Sequence, residues 1–283
     1  MHRDLLRPFL SLLWLWLLLG FFPLGVLGQE VRRLFPDRIL LPHLLAGARE
    51  PVTSVALLGV TRNPNSLGDG VEAEVSVGST LPVLLLGTPD GRPVVAGIEA
   101  GVYGRFGLQV LERELIASDW LFAVPVYWLL DSGWFRLRYF HLSSHMGDEY
   151  ARRFDDPGIN FARDAVELFG FRSLSSESGL YGGVRYAYIV HPEDSKRWVV
   201  RAGGQLDRRD GAGIRPFLAA DLEWDQDAGS TPRIEGRLGL WLPEVNGRRL
   251  LRVSLSLLRG PSPLGQFHGR STTQIAFGLQ GNL

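Results

Sequence analysis

"RIEGRLGLWL", residues 233–242, is the stretch that decides the fold. Ile234, Leu238, Leu240 and Leu242 fall on one side of an extended chain and Arg233, Glu235 and Arg237 on the other, whereas a helical period would scatter both sets. One face is apolar and the other charged. A soluble sandwich alternates too, but over strands of about five or six residues; here the pattern runs for about ten, the length of a tilted strand crossing a membrane.

The same period recurs on either side. Leu251, Val253, Leu255 and Leu257 alternate with Arg252, Ser254 and Ser256, and Leu218, Ala220, Leu222 and Trp224 with Asp221 and Glu223. Thr273, Ile275, Phe277 and Leu279 alternate with Gln274 and Gln280. Turn residues cut the chain into about twelve such segments, near 53–60, 71–86, 93–106, 115–128, 134–145, 161–173, 180–190, 197–207, 213–225, 232–242, 249–259 and 271–281. Odd-numbered connections (61–70, 107–114, 146–160 and 260–270) are the longest and even-numbered ones short, the parity of an outer-membrane barrel with both ends in the periplasm. The expectation is an all-β protein: a transmembrane antiparallel up-and-down β-barrel of about twelve strands over residues 53–283.

Its inward face would carry Glu72, Glu74, Glu99, Arg105, Arg136, Arg138, Asp221, Glu223, Arg233, Glu235 and Arg237. Charges of both signs are expected to pair and fill the lumen, the alternative being a selective pore. Tyr103, Trp120, Tyr127, Trp128, Trp134, Tyr181, Trp224 and Trp241, near strand ends, read as interfacial girdles. Gly97, Gly101, Gly104, Gly182, Gly183, Gly203 and Gly204 read as points of tight curvature.

Ahead of the barrel, a short basic start, an almost continuously apolar stretch from Phe9 to Phe22 and the small residues before Gln29 mark residues 1–28 as a cleaved signal peptide. The apolar run is shorter than the roughly 20 residues of a spanning helix. Residues 29–52, rich in Pro, Leu and Arg, read as an N-terminal periplasmic extension or plug outside the sheet. The whole chain balances 30 Lys+Arg against 30 Asp+Glu, so no global field points to nucleic acid. It has no cysteine and must hold together without disulfides. The partners expected are outer-membrane lipids and, during biogenesis, the barrel-assembly machinery.

No phosphate-cradling loop, His-Glu-x-x-His or Gly-x-Ser-x-Gly elbow is present. Any chemistry lies in "HLSSHMGDE", residues 141–149. His141 and Ser143 stand at i and i+2 on the side of Phe135, Leu137 and Tyr139, opposite Arg136 and Arg138, so both would face lipid just before the longest loop. Three readings follow. The cluster is a hydrogen-bonded rim; or His141 takes the proton of Ser143 in lipid acyl hydrolysis, oriented by Asn160 or, second, Glu149; or His145 and Asp148, with His141 or Glu149, hold a metal ion.

The sequence also resembles a bacterial family known only as domain of unknown function 1207, whose members are read as outer-membrane proteins. The resemblance rests on Phe35-Pro36-Asp37, Arg49-Glu50-Pro51, the segment from Tyr139 to Glu149, Asn160, Arg163-Asp164, Leu180-Tyr181-Gly182-Gly183 and Gly265-Gln266-Phe267. Relatives carry Glu where this chain has Asp164. It implies a location and no activity. A local resemblance links His141-x-Ser143 to outer-membrane phospholipase A and the lipid A deacylase, whose histidine is oriented by a nearby Asn or Glu. It implies a lipid acyl hydrolase, and the one cofactor it admits is a divalent cation such as calcium.

Overall fold

The computed structural model describes residues 30–37, 41, 43–62, 70–88, 91–109, 113–208, 213–243 and 251–281; the signal peptide expected at 1–28 lies outside the described residues. A short strand β1 (Glu30–Leu34) precedes twelve long ones: β2 (Thr53–Arg62), β3 (Gly70–Gly87), β4 (Pro93–Gly107), β5 (Leu115–Leu130), β6 (Gly133–Met146), β7 (Phe161–Ser173), β8 (Ser178–His191), β9 (Trp198–Asp207), β10 (Arg215–Asp225), β11 (Arg233–Trp241), β12 (Leu251–Pro261) and β13 (Ser271–Gly281). Each pairs antiparallel with its neighbour in sequence, and β13 returns to pair with β2 along its whole length, Thr272 with Arg62 through Gly281 with Thr53. The twelve strands therefore form a closed barrel without a free edge, the arrangement that lets strands cross a bilayer. All twelve segments expected from the alternation are present, with ends shifted by two residues at most. Two connections on the inner side depart from the length parity: 208–214 is as long as 63–69 and 108–114 on the outer side, and 242–250 is as long as 262–270.

The segment at 29–52, expected as a periplasmic extension or plug outside the sheet, divides in two. β3 outruns β2, which pairs with it only as far as Ser76, and β1 covers part of the edge left bare by pairing with Leu84–Gly87. Residues 41 and 43–50 then turn into the lumen, because they carry the side chains that complete its core. Leu41 and Leu44 pack with Val95, Tyr127, Trp134, Phe169 and Tyr181, and Leu45 and Ala46 with Phe217, Ala219 and Trp241. The Leu45 amide donates to Gln205 and the Gly47 amide to Glu235. Glu50 meets Arg201. Burial pushes the Glu50 carboxyl up, but Arg201, Arg136 and Arg138 outweigh it and hold the group below the usual carboxylate range.

The inward charges pair across the interior as expected. Arg105 donates to Glu72 at 3.1 Å and Glu74 at 2.7 Å; Arg138 bridges Glu99 and Glu167, both at 2.9 Å; Arg136 reaches Glu167 at 2.8 Å and lies over the Phe169 ring. Such pairs hold a barrel interior through mutual satisfaction, since breaking one buried pair costs about 3–5 kcal/mol.

Five of the eight aromatics expected in girdles are inside instead. Tyr103, Tyr127, Trp134, Tyr181 and Trp241 are buried, because each falls on the inward parity of its strand; Trp134, for example, shares a face with Arg136 and Arg138. Trp120, Trp128 and Trp224 take the outward parity. Several of the glycines read as curvature points make room for these rings. A Cβ on Gly203 would stand 2.4 Å from the Tyr181 hydroxyl, and one on Gly183 2.5 Å from the Phe169 ring. The wall from β4 to β9 is thus bulky, whereas Ser54, Ala56, Ser254, Ala276 and Gly278 make the facing wall thin, leaving a cavity of about 70 Å³ beside Arg49 and Glu50.

The outer mouth is closed by loops. Within the β12–β13 connection the short 3-10 turn Gly265–Phe267 dips inward: the Gly265 amide points to Asp119, the Gln266 amide to the Ser144 hydroxyl and the Gln266 side chain to the Ser144 carbonyl at 2.6 Å. Phe267 packs on Tyr150 of the helix α1 (Asp148–Phe154). Asp227, between β10 and β11, ties three further elements by meeting Arg163 at 2.7 Å, His268 at 2.9 Å and the Lys196 amide at 2.7 Å.

Candidate active site on the lipid-facing wall

Alternation along β6 sends Phe135, Leu137, Tyr139, His141, Ser143 and His145 outward while Arg136, Arg138, Phe140 and Ser144 are buried. Register sets the depth. On one side Ser143 pairs with Trp120 and His141 with Phe122, so the serine lies level with an exposed tryptophan whose Nε1 donates to Ser118. Exposed tryptophans near strand ends suit the level at which acyl chains meet the headgroups.

On the other side His141 pairs directly with Asp164 of β7. Its Nδ1 lies 2.7 Å from Asp164 Oδ1, and the Tyr139 hydroxyl donates to the same oxygen at 2.8 Å. Tyr188 of β8 lies beside Tyr139 and completes the group. It arrives there through a β-bulge: Asp164 pairs with Ile189 and Ala165 with Ala187, leaving Tyr188 as the extra residue. Bulges re-aim side chains beside functional sites. The His141 side chain is 39% exposed and Asp164 20%, so the pair is reachable from the bilayer.

A carboxylate at Nδ1 keeps the proton on that nitrogen and leaves Nε2 as the basic one. Side chains two apart on one face are separated by about 6.6 Å of strand, a span that an imidazole and a serine hydroxyl bridge together. His141 and Ser143 therefore stand two apart on one outward face, with Asp164 at His141 Nδ1.

The other expected site residues fall elsewhere. Asn160, the first choice to orient His141, is exposed just ahead of β7, four residues and about 13 Å of strand from the level of Asp164. Glu149, the second choice, sits in the first turn of α1 and faces Arg152 at 3.5 Å. Asp164 holds the place assigned to both, because register, not nearness in sequence, decides what lies beside His141. His145 is exposed at the outer end of β6 and Asp148 exposed at the start of α1. Among the described residues no group of three or more His, Asp or Glu side chains comes together to hold a metal ion. The two adjacent serines have opposite fates: Ser143 faces lipid, and Ser144 bonds Asp119 and the turn that closes the mouth.

Outer membrane phospholipase A from Escherichia coli has a similar structure, with a TM-score of 0.54 and 12% identity over 82% of this chain and 90% of that one. The outer membrane phospholipase dimer of Salmonella typhi, which has bound calcium, is similar to the same degree, with a TM-score of 0.54 and 11% identity over 82% of this chain and 91% of that one. At these identities the likeness shows the fold, an outer-membrane β-barrel. No curated protein matches the sequence. The model of the family described as protein of unknown function (DUF1207) matches residues 29–281, and the chain, a twelve-stranded outer-membrane β-barrel, belongs to that family.

Proposed function

We propose that the protein is a lipid acyl hydrolase of the outer membrane, with Ser143 as nucleophile, His141 as general base and Asp164 as the residue that positions His141. The observation that carries the reading is the 2.7 Å contact between Asp164 and His141 Nδ1 on a lipid-facing wall. Ionisable groups on such a surface are costly, and a carboxylate at Nδ1 leaves the other imidazole nitrogen free to act as a base.

In the reaction, Ser143 Oγ forms a bond to the ester carbonyl carbon as His141 Nε2 takes its proton. The carbon–oxygen bond to the lipid alcohol then breaks, the proton passing from His141 to the departing oxygen. Water, deprotonated by the same nitrogen, releases the fatty acid and restores Ser143. No step is routed through a cation.

The test uses protein purified in detergent, offered diacyl phospholipids and acylated glucosamine lipids, with and without calcium, beside Ser143→Ala. Fatty acid release that disappears in Ser143→Ala, together with fluorophosphonate labelling of Ser143, supports the reading. No release on either lipid class and no labelling of Ser143 overturns it.

A further inference from the structure

The thin side of the lumen carries a second, unrelated feature. Four successive inward positions on β12, from Arg252 to Leu258, and four on β13, from Gln274 to Gln280, line the cavity of about 70 Å³. Six residues of strand rise about 20 Å, so the cavity is a narrow slot that starts one residue from the inner end of β13 and climbs more than half of that strand. Its floor is low because Ser254, Gly278 and Ala56 lie side by side across three strands, next to the pair Ser256 and Ala276. Tyr103, buried on the inward side of β4, lines the slot with a hydroxyl that has no hydrogen-bond partner, as do Arg105 and Arg237 through Nε. Buried donors of this kind are met by water, and the slot has room for about five molecules.

A second cavity, of about 60 Å³, lies under the β12–β13 loop. Ser262, Gly265 and His268 of the loop line it, with Phe140, Arg185 and Glu223 of the wall. Two residues line both cavities, Arg49 and Pro263. They are bonded to each other, the Arg49 Nη2 donating to the Pro263 carbonyl at 2.8 Å. That contact is the partition. Asp119 accepts from Arg49 and from the Gly265 amide, so the partition and the loop share one anchor.

We propose that the two cavities are the halves of a gated passage for small inorganic ions, shut by Arg49 and opened when the β12–β13 loop lifts. A void left by poor packing would be sealed by the wall itself. Here the run from the inner rim to the outer loop is interrupted by one side chain, carried on a segment that is not part of the wall. Lifting the loop withdraws Pro263 from Arg49 and uncovers the outer cavity in one movement. So narrow a bore excludes organic solutes, and arginines and acidic residues in near-equal number along it leave little preference for either sign of charge. The passage stands apart from Ser143, which faces lipid, and does not depend on the hydrolase reading.

The test is planar-bilayer recording of the full chain in potassium chloride, with Arg49→Ala combined with Asp119→Asn so that no buried carboxylate is stranded. Small steady openings absent from the parent are expected. Adding either Ala276→Leu or Ser254→Leu, which plug the slot at different depths, should abolish them, as should replacing both ions by bulky organic ones. A heat-dependent gel shift confirms that each variant is folded. No openings in the double variant, openings that survive both plugs, or an equal current carried by the bulky organic ions overturns the proposal.

Discussion

Arg49, carried inside the barrel by the chain that precedes β2, donates from Nε to Asp119 of β5 at 2.9 Å, and its Nη2 reaches the Pro263 carbonyl of the outer loop at 2.8 Å. One guanidinium thus joins the internal segment, the wall and the turn that closes the mouth. Arg49→Ala strands a buried carboxylate and should cost about 3–5 kcal/mol, read as a lower temperature for the heat-dependent gel shift. Arg49→Ala with Asp119→Asn should recover part of the loss. Equal stability of Arg49→Ala and parent would show that the contact contributes nothing.

Planar-bilayer recording tests the filling of the lumen. The parent barrel should conduct poorly, because paired arginines and glutamates line the wall and residues 41–50 occupy the lumen, with Leu41 and Leu44 packed on its bulky side. A variant lacking residues 30–50 should show steady openings along the thin wall of Ser54, Ala56, Ser254 and Ala276. Large openings in the parent would contradict a filled interior.

For the proposed hydrolysis, Asp164→Asn keeps the shape at His141 Nδ1 and removes the charge that fixes its proton. Acyl release should fall by about 10²–10⁴, in the manner of a triad that has lost its acid, while Asn160→Ala and Glu149→Gln should change little. A larger loss from Asn160→Ala than from Asp164→Asn would reassign the orienting residue.

The clasp at Asp227 gives a pH dependence. Burial pushes its carboxyl up, yet the Lys196 amide, followed by His268 and Arg163, outweighs burial and holds it below the ordinary range. A depressed carboxyl stabilises the folded state above its unfolded pKa of about 4 and loses that contribution as pH falls through the folded value. Hydrogen exchange in 262–270 should therefore stay slow from neutral pH to about 4 and quicken below it. In Asp227→Asn it should be fast throughout; a parent profile that quickens near pH 6 would exclude this carboxyl as the cause.

Gly203 serves as the slot for Tyr181, whose hydroxyl contacts Asp221 at 2.8 Å. Gly203→Val should block assembly or lower the gel-shift temperature markedly, and Gly203→Val with Tyr181→Ala should recover only part of the loss, because the Ala220 carbonyl oxygen also stands 2.4 Å from a Cβ at this position. Unaltered folding of Gly203→Val would mean that the ring has another place to go.

Much of this architecture is legible from parity alone. The period of two in residues 233–242 predicts both the strand and the inward turn of Arg233, Glu235 and Arg237, and its repetition locates all twelve strands. Nearness to a strand end misplaces five of the eight aromatic residues where parity does not: Trp134 lies two residues from Arg136 and must follow it inward. The orienting acid was hidden for a different reason. Fourteen residues separate β6 from β7, and no local pattern states how far one slides against the other, so the pairing of His141 with Asp164 exists only in the assembled sheet. A weaker signal was available, since an acid at position 164, on the parity of Leu168 and opposite to Glu167, has to face lipid. Arg49 and Glu50 were likewise visible as residues but not as the centre of the interior, which depends on a chain segment entering a closed wall.

That entry constrains the order in which the molecule can be built. Residues 41–50 lie within the circle of strands, and β2, which follows them at once, forms the final ladder with β13. While that ladder is open, the segment can settle against Arg201, Glu235 and Asp119 before the circle is complete. An early stretch of the chain then serves as the template on which the last strand closes.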